Sequence, residues 1–462
     1  MQMFDLVVIG SGPAGQRAAI QAAKLGKSAA IIERNHLVGG VALHTGTIPS
    51  KTLREAILYL TGWRQRGYYG RDYRLKADIT AEDLKQRLDT CIRHEVELIH
   101  DQLARNSVKV FYGTASFTDP HTLALESPGS DITQLHAEKI LIATGTRPRR
   151  PADIPFDDKA IVDADGILNL EEIPKSLTVI GGGVIGIEYA TIFNTLDIQV
   201  TLVHEHNTLL PFIDQEIMEE FIHYQRDNNM LFRLGSKISS IKKNDQGKVI
   251  VTLADGKHVC SEMLIFAAGR TGCTAALKLE NAGLEADSRH LIKVDAHYRT
   301  VVDHIYAAGD VIGFPSLAST SMEQGRLAAL HAFEQPQEQN MSHLPYGIYA
   351  VPEISIVGKT EQELMKEQIP YEVGVARLRE TARGQILGVR EGLLKLLINI
   401  EDHTLLGVHI VGHGATELVH IGQTAMALGG KLNYFVNSVF NYPTLAEAYK
   451  VAALDAWNRL HP

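Results

Sequence analysis

Phe4-Asp5-Leu6-Val7-Val8-Ile9-Gly10-Ser11-Gly12-Pro13-Ala14-Gly15 is the stretch that decides the fold. Its first six residues form a short, mostly apolar run of the kind buried on both faces of a parallel sheet. The three glycines have separate jobs: Gly10 allows a tight turn, Gly12 lets the backbone approach a pyrophosphate, and Gly15 lets helix and strand pack closely. An Ala-rich, helix-prone segment from Arg17 to Leu25 follows, so free N–H groups and a partial positive charge would face the phosphates. The next strand, Ala29-Ala30-Ile31-Ile32, ends at Glu33, whose carboxylate can accept hydrogen bonds from ribose hydroxyls. A lone Gly-x-Gly-x-x-Gly is a weak signal. Here strand, helix, second strand and terminal acid all fall at the spacing that dinucleotide binding needs.

The device occurs a second time. Ser176-Leu177-Thr178-Val179-Ile180 leads into Gly181-Gly182-Gly183-Val184-Ile185-Gly186, then a helix expected from about Ile187. Its second strand, Gln199-Val200-Thr201-Leu202-Val203, ends at His204. Glu33 follows Gly10 by 23 positions, and His204 follows Gly181 by the same 23. Two dinucleotides are therefore expected, in two Rossmann-like doubly wound α/β domains.

Further strands ending in small-residue turns occur at Lys139 to Gly145, Met263 to Gly269 and His304 to Asp310, and Pro148 to Pro155 reads as a crossover. Thr80-Ala81-Glu82-Asp83 has the capping-box pattern and opens an amphipathic helix expected over 79–104. From about residue 345 the pattern turns to alternating strands, Leu393 to Ile398 and Leu405 to Val411, and then helices, without a glycine fingerprint. The expected division is one dinucleotide-binding domain over 1–150 and 275–344, a second over 151–274, and a C-terminal α+β interface domain over 345–462.

Bulk properties narrow the function classes. The 462 residues are 45% hydrophobic and 21% charged, ordinary for a folded protein. A net charge of −9 argues against nucleic acid or an anionic membrane as partner. No apolar run reaches the roughly 18–20 residues that span a bilayer, and the N-terminus enters a strand-like run with no signal-peptide pattern. Three cysteines, Cys91, Cys260 and Cys273, form no CxxC pair, which fits a reducing, cytoplasmic setting and offers no metal site.

On these residues the sequence resembles the flavoprotein disulfide reductases. The matching elements are Gly10 to Gly15, Glu33, Gly39-Gly40 through Ile48-Pro49-Ser50-Lys51, Ala143-Thr144-Gly145, Gly181 to Gly186, Gly269-Arg270 and Ala308-Gly309-Asp310. The resemblance implies FAD on the first fingerprint and NAD(H) or NADP(H) on the second. It carries a cofactor-binding role to Gly10, Gly12, Gly15, Glu33, Arg34, Gly39, Gly40, Thr47 and Lys51, and to Ala115, Thr144 and Gly145. The same role falls on Gly181, Gly183, Gly186, His204, Glu205, Gly269, Arg270, Gly309 and Asp310. Asp310 would meet the ribityl–phosphate arm of the flavin, and Ala115 its adenosine end. Lys51 would lie beside the flavin ring with Glu188 as its partner, the two catalytic residues. A homodimer through residues 345–462 is implied as well.

Two departures decide more than the matches. Disulfide reductases carry two cysteines in the segment before Ile-Pro-Ser-Lys, and here Ala42 and Thr47 stand in their places. Neither side chain can form a thiolate, so dithiol exchange through this segment is impossible. The family's C-terminal histidine base is replaced by Tyr442 in Asn441-Tyr442-Pro443-Thr444, and a phenol is a poor base at neutral pH. Base and thiols have gone together. With Gly313 to Ser319 and Phe440 to Thr444, this combination resembles the soluble pyridine nucleotide transhydrogenases, which implies hydride exchange between NADPH and NAD through FAD. His204-Glu205-His206 after the second fingerprint, neither an acid in first place nor a strong cation, suits a site that takes both nucleotides. A quinone reductase or oxidase on the same scaffold, or a non-catalytic flavin protein, stays open at this level.

Overall fold

The computed structural model describes residues 2–70, 72–127, 129, 131–337 and 343–461. It divides into two compact units. The first unit takes residues 1–53, 84–149 and 269–339, and the second takes 54–83, 150–268 and 340–462.

In the first unit the opening run becomes the strand Gln2–Ile9. Parallel pairing joins it to Ala29–Glu33 on one side and Thr133–Ile142 on the other. Lys109–Tyr112 and Ile305–Ala307 extend the parallel set, while Thr122–Glu126 and Thr114–Asp119 add an antiparallel edge to give seven strands. Alternate residues of the opening strand feed two separate cores. Leu6 and Val8 pack with Ala18, Ala22, Ile31 and Leu103, whereas Val7 and Ile9 pack with Ile32, Phe117, Ile140 and Ile305. That is the period-2 logic of a strand covered on both faces.

The first helix spans Pro13–Lys24, four residues ahead of its expected start. Pro13 takes the first helical position, where its missing N–H costs nothing. The long helix spans Ala81–Arg105, and its capping box is real: Thr80 N–H donates to Asp83 at 2.8 Å and Asp83 N–H to Thr80 Oγ1 at 3.3 Å.

In the second unit a five-stranded parallel sheet runs in the order Leu231–Arg233, Gln199–Val203, Ser176–Ile180, Met263–Phe266, Ile161–Asp163. Its helix spans Val184–Asn194, so it begins three residues before the expected Ile187, directly at Gly183. β-Branched Val184 and Ile185 open it, half-buried at its first turn, where no preceding turn crowds them. The same unit holds a five-stranded antiparallel sheet, ordered Tyr346–Ile348, Ile354–Gly358, Leu405–Val411, Leu393–Asn399, Tyr371–Arg377. Helices Ala415–Ala427 and Glu447–Leu460 pack on it, giving the α+β region read from sequence.

One polar cluster ties this sheet to the parallel one. Lys395, fully buried, donates to Asp214 at 2.9 Å and reaches Glu216 and Glu361 as well. Asp214 also caps the helix Gln215–Asp227. Burial alone would push the Lys395 ammonium down, but bonds to Glu361 and Asp214 outweigh it and hold the ammonium above its ordinary value. No helix among the described residues is long and apolar enough to cross a membrane.

Candidate dinucleotide sites

The first site is built on the turn at Gly10, where φ is 108°. A Cβ there would lie 2.3 Å from Ala143 O, so Gly10 is what lets the turn close on the Ala143-Thr144-Gly145 segment. A Cβ at Gly15 would fall 2.0 Å from Gly10 O, and one at Gly40 2.8 Å from Gly12 Cα. A Cβ at Gly12 would meet nothing within 4 Å, which leaves the pyrophosphate approach open. Glu33, buried at the end of its strand, accepts from Ser11 N–H at 3.1 Å, Ser11 Oγ at 2.5 Å and Asn35 N–H at 2.9 Å. Ser11 Oγ in turn accepts from Gly39 N–H at 3.0 Å. Arg34, by contrast, is exposed.

Against the same turn, where a Cβ at Gly309 would lie 3.3 Å from Ala14 Cβ, Gly309 N–H donates to Gln324 Oε1 at 2.9 Å and Asp310 follows the strand Ile305–Ala307. Thr146 Oγ1 donates to Asp310 at 3.2 Å and accepts from Arg270 Nε at 2.8 Å. Burial raises the Asp310 carboxyl above the usual range, with Arg270 and Thr146 pulling the other way. Ala115 is buried in the antiparallel edge opposite Leu125. The first unit thus gathers Gly10 to Gly15, Glu33, Gly39-Gly40, Ala143 to Gly145, Arg270 and Asp310, although up to 300 positions separate them. Its buried Thr144 hydroxyl has no protein partner, so the site still holds an unsatisfied donor where a polar ligand would bond. Open glycines, an orphaned hydroxyl and an acid at the strand end together fit a dinucleotide.

Lys51 lies in the helix Thr47–Leu60 and donates to Ser50 Oγ at 3.2 Å. Ala42 sits in the short helix Gly40–His44 and Thr47 begins the next one. Cys91, Cys260 and Cys273 are all free, and none belongs to these helices.

The second site repeats the first in backbone. Gly181 has φ of 111°, and a Cβ there would lie 2.6 Å from Ala267 O. A Cβ at Gly186 would lie 1.9 Å from Gly181 O, while Gly183 is open. His204 Nδ1 accepts from Gly182 N–H at 3.2 Å. Burial lowers the His204 imidazole, His206 adds to the effect and Glu205 opposes it. Glu188 is the fifth residue of its helix, buried, with Oε1 accepting from Tyr349 N–H at 2.9 Å. Gly269 and Arg270 belong to the first unit.

Sequence reasoning passed over Ser11, Gly182, Thr146 and Gln324. The first three are adjacent to motif residues, and that adjacency was the available signal. Gln324 lies 15 residues from Gly309 in a featureless helix and gave none. A separate cavity of about 1060 Å³ in the second unit, beside Trp63, Tyr224 and Arg390, is lined by none of the candidate residues.

The family described as pyridine nucleotide-disulphide oxidoreductase matches residues 4–325, and its dimerisation domain matches 344–453. A soluble pyridine nucleotide transhydrogenase of Mycobacterium tuberculosis is 53% identical over 461 residues, covering 100% of this chain and 98% of its own length. One of Salmonella paratyphi C is 43% identical, covering 99% and 98%. Among solved structures, the HOCl-induced flavoprotein disulfide reductase RclA of Escherichia coli superposes with a TM-score of 0.88 at 25% identity, over 98% of this chain and 99% of its own. LpdA of Mycobacterium tuberculosis shares the fold, with a TM-score of 0.89 at 24% identity over the whole of both chains. Both glycine turns and the antiparallel region after them fall within these matches, and the chain belongs to the pyridine nucleotide-disulphide oxidoreductase family.

Proposed function

We propose that this chain is an FAD-dependent transhydrogenase that moves hydride between NADPH and NAD, acting as a homodimer. The observation that carries the reading is the pairing of two complete dinucleotide turns with Ala42 and Thr47 in the place of a redox dithiol. Bound FAD supplies a two-electron carrier that can be reduced by one nicotinamide and reoxidised by another. The full-length relatives named as transhydrogenases support the same activity.

The chain's own residues supply binding and orientation. Gly10 to Gly15 and Glu33 hold the flavin's pyrophosphate and ribose, Gly39-Gly40 and Thr144-Gly145 flank it, and Asp310, steadied by Thr146, meets the ribityl arm. Gly181, Gly183 and Gly186 hold the nicotinamide nucleotide, with His204 and Glu205 at its adenosine ribose. Lys51 and Glu188 are assigned to the flavin ring, Lys51 contributing positive charge that favours electron-rich flavin. Arg34, Thr47, Ala115, Gly269 and Arg270 complete the cofactor set. The division at 150, 274 and 344, and a cytoplasmic location, belong to the same reading.

The test is anaerobic mixing of the purified protein with NADPH and a thio analogue of NAD. The expected result is reduced thio analogue in amounts far above the flavin present. No reduced analogue, together with rapid NADPH turnover on a quinone, would overturn the reading.

A further inference from the structure

Between the strands Tyr346–Ile348 and Ile354–Gly358 the chain is irregular, yet residues 350–353 are buried. Buried chain outside a helix or sheet needs partners for its polar groups from elsewhere. Three helices supply them here. Glu188 Oε1 accepts from Tyr349 N–H at 2.9 Å, and Thr191 Oγ1, three positions along the same helix, accepts from Val351 N–H at 3.1 Å. Gln225 donates to Val351 O at 2.6 Å. The carbonyl between the two N–H groups, Ala350 O, accepts from Arg54 Nε at 3.2 Å.

Arg54 grips the segment a second time. Its Nη2 donates to Glu353 Oε1 at 3.0 Å, with 7% and 9% of the two side chains exposed. The other Glu353 oxygen accepts from the N–H of Thr416 at 3.2 Å and from its hydroxyl at 2.8 Å. A buried ion pair of this kind recovers little net stability, because desolvating two charges offsets their attraction, and apolar side chains of similar volume often serve as well. What it does supply is fixed geometry, through a planar fork whose donor directions are set. Arg54 also lies in the helix Thr47–Leu60, three positions after Lys51.

Resting on the assignment of Glu188 to the flavin ring, we propose that Arg54 and Glu353 are a positioning pair for the Glu188 carboxylate. They hold residues 349–353 in one conformation, and the Tyr349 N–H of that segment then fixes Glu188 Oε1. A carboxylate beside a flavin acts on it by distance and direction, so a displacement of about 1 Å is enough to matter. Neither member of the pair is assigned a contact with the flavin, and both act through the backbone between them and Glu188. Losing the pair should therefore resemble a weaker form of losing the Glu188 charge.

The test takes the flavin-loaded, full-length protein and reads the flavin reduction potential anaerobically against dyes, with no nucleotide present. Arg54→Met combined with Glu353→Met removes both charges together, so neither is stranded and the fold should hold. The potential should move in the same direction as in Glu188→Gln, and by less. Reduction of the flavin by NADPH, followed by stopped flow, should slow by about 10-fold. Added to Glu188→Gln, the same two substitutions should leave the potential where Glu188→Gln alone puts it, as expected of residues that act through one another. A parent-like potential in the pair variant, or an equal further shift in the Glu188→Gln background, would overturn the proposal. Should the pair variant fail to fold, Arg54→Lys decides, since it keeps the charge opposite Glu353 and loses the fork. A shift in the Glu188→Gln direction then supports the proposal, and a parent-like potential overturns it. An unmoved potential in Glu188→Gln itself sinks the assignment of Glu188 and the role of the pair with it. Absence of thio-NAD reduction by the parent, with the potentials shifting as expected, sinks the transhydrogenase reading alone.

Discussion

At Gly10 the chain turns with φ of 108° and at Gly181 with 111°, and in both places the third glycine touches the carbonyl of the first so closely that no Cβ fits. The two turns are near copies in backbone. They differ in what stands opposite the middle residue. In the first unit Glu33 takes three donors, two of them from Ser11. In the second unit His204 takes one, from a residue with no side chain. The backbone is set by the pyrophosphate, which all dinucleotides share, so it tolerates no variation. The strand-end station is less constrained, since a carboxylate taking three donors and an imidazole taking one both fit there.

The sharpest way to break this comparison is to put a methyl group on each third glycine. Gly15→Ala should yield protein without bound flavin, because the new Cβ would press on Gly10 O. Gly186→Ala should keep the flavin absorbance and lose nicotinamide binding and at least 100-fold in hydride transfer. Flavin loss in Gly186→Ala would mean that the two turns are not independent.

Emptying the strand ends should give a smaller, unequal pair of effects. Glu33→Ala strands three buried or half-buried donors, at about 1–3 kcal/mol for each that water cannot reach. His204→Ala strands only Gly182 N–H. Thermal unfolding should show the larger drop for Glu33→Ala, and equal drops would contradict the assignment of three bonds against one.

Acid separates the sites further. The His204 imidazole lies below its ordinary value of 6.5, so its contribution to stability is complete above that pH and lost as pH falls toward the folded value. The groups around it are His206 and Glu205. Melting temperatures from pH 8 down to pH 5.5 should fall less steeply in His204→Gln than in the parent. An unchanged slope would show that another group governs the decline.

The smallest effect is expected at Asp310. Its folded value is raised, so stability from this group is present at low pH and lost as pH rises through that value. Thr146→Val removes a donor to the carboxylate and should cost about 0.5–1.5 kcal/mol, more at pH 8, where the carboxyl is ionised, than at acid pH, where it is protonated, in urea unfolding. A larger loss on the acid side would reverse the sign and exclude the bond.

Much of this was legible in the chain. Glycine spacing located both turns because each glycine has its own steric reason, and the strands Gln199–Val203 and Leu405–Val411 matched their apolar runs residue for residue. Helix starts were read late, at Arg17 instead of Pro13 and at Ile187 instead of Val184. Proline and β-branched residues look like helix breakers when read by propensity, but at a first turn they cost little. Long-range ties were invisible. Nothing marks Tyr349 as the donor to Glu188, or Thr146 as the link between Arg270 and Asp310, because such bonds depend on where the sheets bring loops together. The empty thiol positions, in contrast, needed no structure, since chemistry excludes Ala42 and Thr47 outright.

The buried Lys395 bears on how freely such proteins can be cut and recombined. Asp214 lies in the stretch matched by the oxidoreductase family, 4–325, while Lys395 and Glu361 lie in the stretch matched by the dimerisation domain, 344–453. A chain truncated near residue 344 would leave Asp214 without its cation, and the excised remainder would carry a lysine with no carboxylate from the other half. Leaving a buried charge uncompensated costs about 3–5 kcal/mol. The boundary that sequence composition suggests is therefore a poor place for a domain swap, and chimeras exchanging the C-terminal region should carry the Asp214 helix along with it.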